Sequence, residues 1–441
     1  MKVFVLGSGV SGKSALKFLQ ENGYNAEFLD EKYINKKYDD YDRLLRDLSF
    51  IVVSPGISHD CPIIVEAKNR GIKVIGELEL GASATKGDII AITGTNGKTT
   101  TVSLIHHILK NKNVFLGGNI GIPITSFADK TNEKSIIILE CSSFQLEDIN
   151  NFAPHISAIL NIDEDHLNRH KTMENYIEAK LNITKNQTKN DYLLLNADSE
   201  ILMQNIPKTS AKILYFSTKK PVFGCFMKND SIYFKDNKIE KKLISLNDIK
   251  LIGEHNLSNI LCGVLAVYLE TKNINKLKKI NNFYGIEHRI EFVMSVDGVK
   301  FYNDSKATNT NSTLVATKCF NEPINLILGG SDKGYSFDEI FAKLPKNVKN
   351  IAIFGETKHK IAFSAKKYGY KNIFIFNDLK SSVIKCFQLS QSGYIVLLSP
   401  ACASFDQFSS YKERGNIFKK IVKELSSNEN VISKAKKKEE L

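Results

Sequence analysis

An α/β protein of three successive sheet-forming segments is the fold class that the sequence predicts: a Rossmann-like N-terminal segment, a central P-loop-type nucleotide-binding segment and a Rossmann-like C-terminal one. Residues 2–12, KVFVLGSGVSG, join a β-branched strand to a helix through a glycine turn. Residues 88–109, DIIAITGTNGKTTTVSLIHHIL, do the same around Gly-Lys-Thr. After residue 285, apolar runs such as PINLILGG, VKNIAIFGE and YIVLLSPACA alternate with polar stretches of helical length. Short apolar strands separated in this way by helices build βαβ units and parallel sheets. The expected domains are 1–86, 87–284 and 285–441.

In the first segment the strand KVFVLG runs into Gly7-Ser8-Gly9-Val10-Ser11-Gly12, then a helix, then the strand NAEFLD ending in Asp30. Glycines at this spacing after a strand, with an acid eighteen residues beyond Gly12, point to a dinucleotide or a nucleoside diphosphate. The strands FIVVSPGI and IKVIGELEL follow, and the segment closes near Lys86-Gly87.

The central segment opens on a phosphate-binding turn. Gly94 and Gly97 let the backbone bend so that successive N–H groups point inward, Lys98 adds a cation, and the helix starting near Thr99 favours an anion. Thr99 offers a hydroxyl to Mg²⁺. The usual P-loop carries a glycine where this chain has Ile92, so Gly-Thr-Asn-Gly-Lys-Thr is a variant loop. The strands NVFLGGNIG, SIIILECSSFQLE and ISAILNIDEDHLNRH then end on polar residues. Ligands of open α/β sheets gather beyond the carboxyl ends of strands, so Asn119, Glu140, Ser142, Gln145, Asn161, Asp163 and His166 are expected at the same site as Lys98. Glu140 suits an oxygen ligand of Mg²⁺; His166 fits either a site residue or a hydrogen-bonded structural histidine. Shorter strands YLLLNAD and ILYFS, a hairpin turning at Asn229-Asp230, and the helix LIGEHNLSNILCGVLAVYLE complete the segment.

The third segment reads as a strand HRIEFVMSVDGVKFYNDSKATN and further parallel strands. Asp304, Lys306, Thr308, Lys333, Ser399 and Ser404 follow their apolar cores. The terminal ISKAKKKEEL reads as a frayed tail.

Composition limits the function classes. With 441 residues, 42% of them hydrophobic and 24% charged, the chain has material for several sizeable cores. Cysteines at 61, 141, 225, 262, 319, 386 and 402 form no CxxC pair, so reduced core thiols are expected rather than disulfides or zinc. MKVFVLG is too short for a signal peptide and no run approaches a membrane span, so a cytoplasmic protein without membrane insertion is expected. The net charge of +12 is carried by dispersed lysines without interleaved aromatics, which argues against nucleic acid and suits an acidic, phosphate-bearing substrate.

Taken together, GTNGKTT, GGNIG, LECSSFQLE, NIDEDHLNRH, YIEAKLNI, GEHNLSN, HRIEFV, FYNDSKATN and SPACASFDQF resemble the ATP-dependent Mur ligases of bacterial cell-wall synthesis, over essentially the whole chain. NDSKATN, GGSDKG and SPACASFDQF are similar to the branch that adds D-glutamate, and the Asn-Pro-Arg triplet of the diamino-acid branch is missing. The resemblance implies UDP-N-acetylmuramoyl-L-alanine, D-glutamate and ATP as substrates, two Mg²⁺ ions, and a monomer. It places the uridine at Val10, Ser11, Asp30 and Glu31, and the rest of the UDP substrate at Asn119, Ser142 and Gln145. ATP falls to Gly94, Thr95, Asn96, Gly97, Lys98, Thr99, Thr100, Asn256, Asn259, Arg289 and Asp304; D-glutamate falls to Lys306, Thr308, Lys333, Ser404, Phe405 and Tyr411. Metal falls to Thr99, Glu140, His166 and to Lys180, whose family counterpart is carbamylated by CO₂; Lys98, His166 and Lys180 are the implied catalytic residues.

The implied chemistry explains these residue types. A carboxylate resists an amine until the γ-phosphate of ATP converts it to an acyl phosphate, and that transfer needs charge neutralisation rather than a protein nucleophile. The attacking amine must lose a proton, to His166 or to an oxygen held by magnesium. Two carboxylates on D-glutamate match Lys306 and Lys333 with the hydroxyls of Thr308 and Ser404. A nicotinamide-dependent oxidoreductase would leave the second phosphate loop unexplained, and a folate-polyglutamate-type ligase generally lacks the uridine domain.

Overall fold

The computed structural model describes residues 1–29, 41–251, 253–334 and 336–427. It forms three separate sheets, following one another along the sequence and gathered into two compact units. One unit is Met1–Lys250 with His255–Phe283, and the other is Leu251–Glu254 with Tyr284–Leu441.

In the first unit, strands β1 (Lys2–Leu6), β2 (Asn25–Phe28), β3 (Leu48–Val53) and β4 (Lys73–Gly76) pair in parallel in the order β2-β1-β3-β4. Both faces are apolar because helices cover both: Val3 and Val5 pack on one side with Ala15 and Leu19, Phe4 and Leu6 on the other with Ile63 and Ile64. The second sheet holds nine strands: β5 (Asp88–Thr93), β6 (Val114–Gly118), β7 (Ile136–Glu140), β8 (Ile156–Ile159), β9 (Tyr192–Asn196), β10 (Lys212–Ser217), β11 (Gly224–Lys228), β12 (Ser231–Lys235) and β13 (Glu240–Ser245). Its order is β13-β12-β11-β10-β9-β8-β5-β7-β6. The chain runs outward from β5 to one edge, returns, and continues on the far side through β8, so strand order reverses at β5. The β11–β12 turn is the expected hairpin, with Asn229 and Asp230 at φ 46° and 50°.

The helix Glu77–Ala84 ties these two sheets together through buried acids in its first turn. Glu79 accepts from the backbone N–H groups of Asn150, Asn151 and Phe152 at 2.8–3.0 Å. Glu77 Oε1 accepts from Thr125 N and Oγ1, both at 2.8 Å, while its other oxygen is buried without a partner and burial pushes the carboxyl's pKa up.

In the second unit, β14 (Glu291–Val296), β15 (Val299–Asn303), β16 (Ile324–Gly329), β17 (Val348–Phe354), β18 (Ile373–Ile375) and β19 (Ile395–Leu398) are ordered β14-β15-β19-β16-β17-β18. The expected single strand HRIEFVMSVDGVKFYN is instead the antiparallel hairpin β14–β15, so this sheet is mixed rather than wholly parallel. Its turn is Asp297-Gly298, both left-handed at φ 50° and 78°, the geometry that two-residue hairpin turns require. Helices sandwich the sheet: Phe337 and Ile340 pack on one face, Phe418 and Val422 on the other.

All seven cysteines are free, and all but Cys319 are buried. Among the described residues, no helix is long and apolar enough to cross a membrane. The expected tail and the residues Asp30 and Glu31 lie outside the described residues.

Candidate active site

β5 delivers the chain to the phosphate turn at the point where strand order reverses, where ligands of doubly wound sheets bind. Gly97 caps the helix Lys98–Leu109 in the left-handed region at φ 85°, and a Cβ there would collide with the amide of Asn259. Glycine is therefore required twice over, by backbone angle and by space. Asn259 is held in turn by Asn256, which accepts from its Nδ2 at 3.2 Å; both are buried. The turn is braced by the segment after β8: Asn161 accepts from Thr95 N (3.0 Å) and Asn96 N (2.8 Å), and Thr95 Oγ1 receives Asp163 N at 3.0 Å. Lys98 Nζ donates to Gly94 O and Thr95 O at 2.7 and 2.9 Å, which keeps the ammonium over the turn. Thr100 is buried beneath it.

Glu140 ends β7 in register with Ile92 of β5. Its Oε1 accepts from Asn119 Nδ2 at 2.8 Å, and its Oε2 is buried with no partner. An unpaired buried carboxylate oxygen is costly unless a cation or proton meets it. Beside a phosphate turn that offers the Thr99 hydroxyl, the donor set fits a hard cation shared with phosphates. No cluster of three His, Cys, Asp or Glu ligands exists among the described residues.

Lys180, on the helix Met173–Leu181, is 2% exposed and donates to the same Gly94 carbonyl at 2.9 Å. Its Nζ lies 4.6 Å from the centre of the Tyr176 ring, and the Tyr176 hydroxyl meets Thr95 Oγ1 at 3.0 Å. Burial first, then the Lys98 cation, pull the Lys180 amine down to about 7. His166 is exposed, left-handed at φ 54°, and sits 3.5 Å from Asp165; its ring neighbours Phe144. Ser142 and Gln145 satisfy each other in a capping box at the start of the helix Ser143–Glu147, a structural employment that the strand-end reading did not foresee.

At the N-terminal glycine turn, Gly12 packs so closely on Gly7 that a Cβ would strike the Gly7 carbonyl oxygen. Ser54 Oγ donates to that same carbonyl at 3.2 Å. Val10 opens the helix Val10–Glu21 and is 67% exposed, free to meet a ligand, with Ser11 half-buried beside it.

The second unit gathers its polar residues beyond the carboxyl ends of β15, β19, β16 and β17. Asp304 is buried, accepts from Ser399 Oγ at 2.7 Å and from Ile290 N at 3.3 Å, and burial raises its carboxyl to about 7. Lys306 and Thr308 are half-buried, Ser404 is buried, and Lys333 and Phe405 are exposed. Arg414 was not foreseen from the sequence. It is fully buried and donates to the carbonyls of Ser305 (2.9 Å), Cys402 (3.0 Å) and Ala403 (3.1 Å) and to Ser305 Oγ (3.0 Å). Ser305 Oγ in turn donates a hydrogen bond to the Tyr411 carbonyl at 2.8 Å. One guanidinium thus fixes the loops that carry Lys306 and Ser404, although burial lowers its pKa to about 10.

Comparison with known proteins follows the same division of the chain. The Mur ligase middle domain family matches residues 92–267, and the Mur ligase glutamate ligase domain matches residues 288–402. Proteins named UDP-N-acetylmuramoylalanine--D-glutamate ligase are similar from end to end: that of Clostridioides difficile is 42% identical over 96% of this chain and 98% of its own. That of Lachnoclostridium phytofermentans is 41% identical over 96% and 97%. Among solved structures, UDP-N-acetylmuramate-alanine ligase MurC of Thermotoga maritima shares the fold with TM-score 0.57 at 19% identity, covering 97% of this chain and 99% of that one. MurF ligase of Thermotoga maritima, in complex with ADP, gives TM-score 0.55 at 17% identity over 88% and 92%.

Proposed function

The chain belongs to the Mur ligase family, and from that premise we propose that it joins D-glutamate to UDP-N-acetylmuramoyl-L-alanine with ATP, through an acyl phosphate. The end-to-end likeness to relatives named for this reaction carries the reading. The division of labour follows the three sheets: 1–86 for the UDP substrate, 87–284 for ATP, 285–441 for the amino acid. It acts as a cytoplasmic monomer in this reading, with no nucleic acid and no membrane insertion.

In the mechanism, the turn from Gly94 to Thr100 cradles the ATP phosphates, and Lys98 leaves its carbonyl partners to meet the charge that spreads over the transferring phosphoryl group. Asn256 and Asn259 line the same site, and Arg289 and Asp304 are assigned to ATP from the family motif. Thr99, Glu140 and His166 would hold Mg²⁺, which would supply charge neutralisation when bound. Asn119 orients Glu140 by donating to one carboxylate oxygen, which leaves the other for the cation. Val10, Ser11, Asp30 and Glu31 hold the uridine, and Asn119, Ser142 and Gln145 the sugar and pyrophosphate. Lys306, Thr308, Lys333, Ser404, Phe405 and Tyr411 hold D-glutamate. Lys180, an amine near neutrality in a buried site, is suited to carbamylation, since only the neutral amine attacks CO₂; the carbamate would add a carboxylate-like anion beside the phosphate turn and Lys98. His166, or an oxygen held by magnesium, would accept the amine proton.

Phosphate release by the purified protein with ATP and Mg²⁺ tests the reading. Turnover is expected only with UDP-N-acetylmuramoyl-L-alanine and D-glutamate together; equal turnover with L-glutamate or L-alanine would overturn it.

A further inference from the structure

The helix Leu167–His170 begins at His166 and is tied down at two points. At one end His170 Nδ1 lies 3.1 Å from Glu147 Oε1, and its Nε2 lies 2.9 Å from Ser143 Oγ. From the adjacent residue, the Arg169 guanidinium divides its donors: Nη2 goes to Glu147 Oε2 at 3.1 Å and Nη1 to the carbonyl of Ile57 at 2.8 Å. Ile57 lies in the loop that follows β3 of the first sheet. Its N–H donates to Ser54 O at 3.0 Å, and Ser54 Oγ donates to Gly7 O at 3.2 Å, so a continuous chain of bonds runs from the N-terminal glycine turn to the turn that presents His166. Phe144 fills the angle, with its ring centre 5.3 Å from the guanidinium carbon and 5.0 Å from the His166 ring.

We propose that Arg169 is a positioning residue that holds His166 in register with the glycine turn gripping the UDP substrate, through the Ile57 carbonyl on one side and Glu147 on the other. This rests on the ligase reading above. A planar fork with two divergent donors is needed, because the acceptors lie on different elements; a lysine ammonium reaches either one but lacks the fixed geometry to hold both. Loss of Arg169 leaves the helix anchored by His170, so the damage is confined to its alignment with the first sheet. A UDP-linked substrate touches both sides of that alignment, whereas ATP and D-glutamate do not touch the first sheet in this reading. Misplacement of about 1 Å at such a site can cost about 100-fold in rate.

The test compares Arg169→Lys, Arg169→Gln and Arg169→Ala with the unaltered protein. The expected result is a KM for UDP-N-acetylmuramoyl-L-alanine raised about tenfold and a lowered kcat, with KM for ATP and for D-glutamate within about twofold. Calorimetric affinity for the UDP substrate should fall in parallel, and methylguanidinium should restore it in Arg169→Ala but not in Arg169→Lys. A merely structural role would reduce the active fraction and leave every KM in place. A KM for the UDP substrate within twofold of normal in Arg169→Lys and Arg169→Gln overturns the proposal. Turnover of the unaltered protein with D-glutamate tests the ligase reading separately.

Discussion

Lys180 and Asp304 are both ionisable groups buried where ordinary side chains would be apolar, and each makes a prediction of its own. Lys180→Ala removes the amine proposed to become a carbamate; ligase activity is expected to fall at least about 100-fold, and a short-chain carboxylate such as acetate at high concentration is expected to restore part of it. Full activity in Lys180→Ala would show that the amine takes no part. Asp304 tests pH dependence. Its folded pKa, about 7, stands above the ordinary aspartate value of 3.8, so as pH rises through that window the unfolded chain gives up its proton first and folding loses free energy. The penalty is absent below about 3.8 and complete above about 7. Asp304→Asn is therefore expected to raise the unfolding midpoint of the second unit more at pH 8 than at pH 5, as read by differential scanning calorimetry; a shift independent of pH would contradict the assignment.

At the level of elements, the turn between β5 and its helix carries the sharpest expectation. Gly97→Ala places a methyl group against Asn259 in a left-handed conformation. It is expected to cost at least about 1 kcal/mol of stability and to abolish nucleotide binding, while calorimetric affinity for the UDP substrate stays near normal because the first sheet is untouched. Lys98→Ala should show the same split without the strain. This turn was legible in the sequence because its constraints are local: glycines, lysine and threonine lie within six residues of one another. The hairpin β14–β15 was legible in principle, since Asp-Gly is a strong turn signal, but apolar residues on both sides made one long strand the simpler reading. Arg169 and Arg414 were not legible. Their acceptors are mainly backbone carbonyls, which every residue possesses, so nothing in the spelling of the chain marks Ile57, Ser305 or Cys402 as their partners. Ser142 and Gln145 show the converse: the S-x-x-Q cap was visible in the spelling, but the strand-end argument spoke for ligand binding first.

Over the whole molecule, the division into three sheets followed from repeated strand-turn-helix units, whereas the gathering of those sheets into two compact units depends on contacts such as Glu79 with the backbone of residues 150–152. A buried carboxylate accepting three N–H groups is expected to be worth several hydrogen bonds, and Glu79→Gln should lower the first unit's unfolding midpoint by several degrees, about 1–3 kcal/mol in free energy; an unchanged midpoint would count against that role. The scattered cysteines carry a consequence of another kind. Cys225 and Cys262 belong to the first unit and Cys386 and Cys402 to the second, each buried with its thiol pKa raised by desolvation. Such thiols ignore alkylating reagents until the polypeptide around them opens. The chain therefore carries its own set of stopwatches: pulses of iodoacetamide along a urea gradient, read peptide by peptide in a mass spectrometer, would time the opening of each unit and reveal whether they come apart together or in turn.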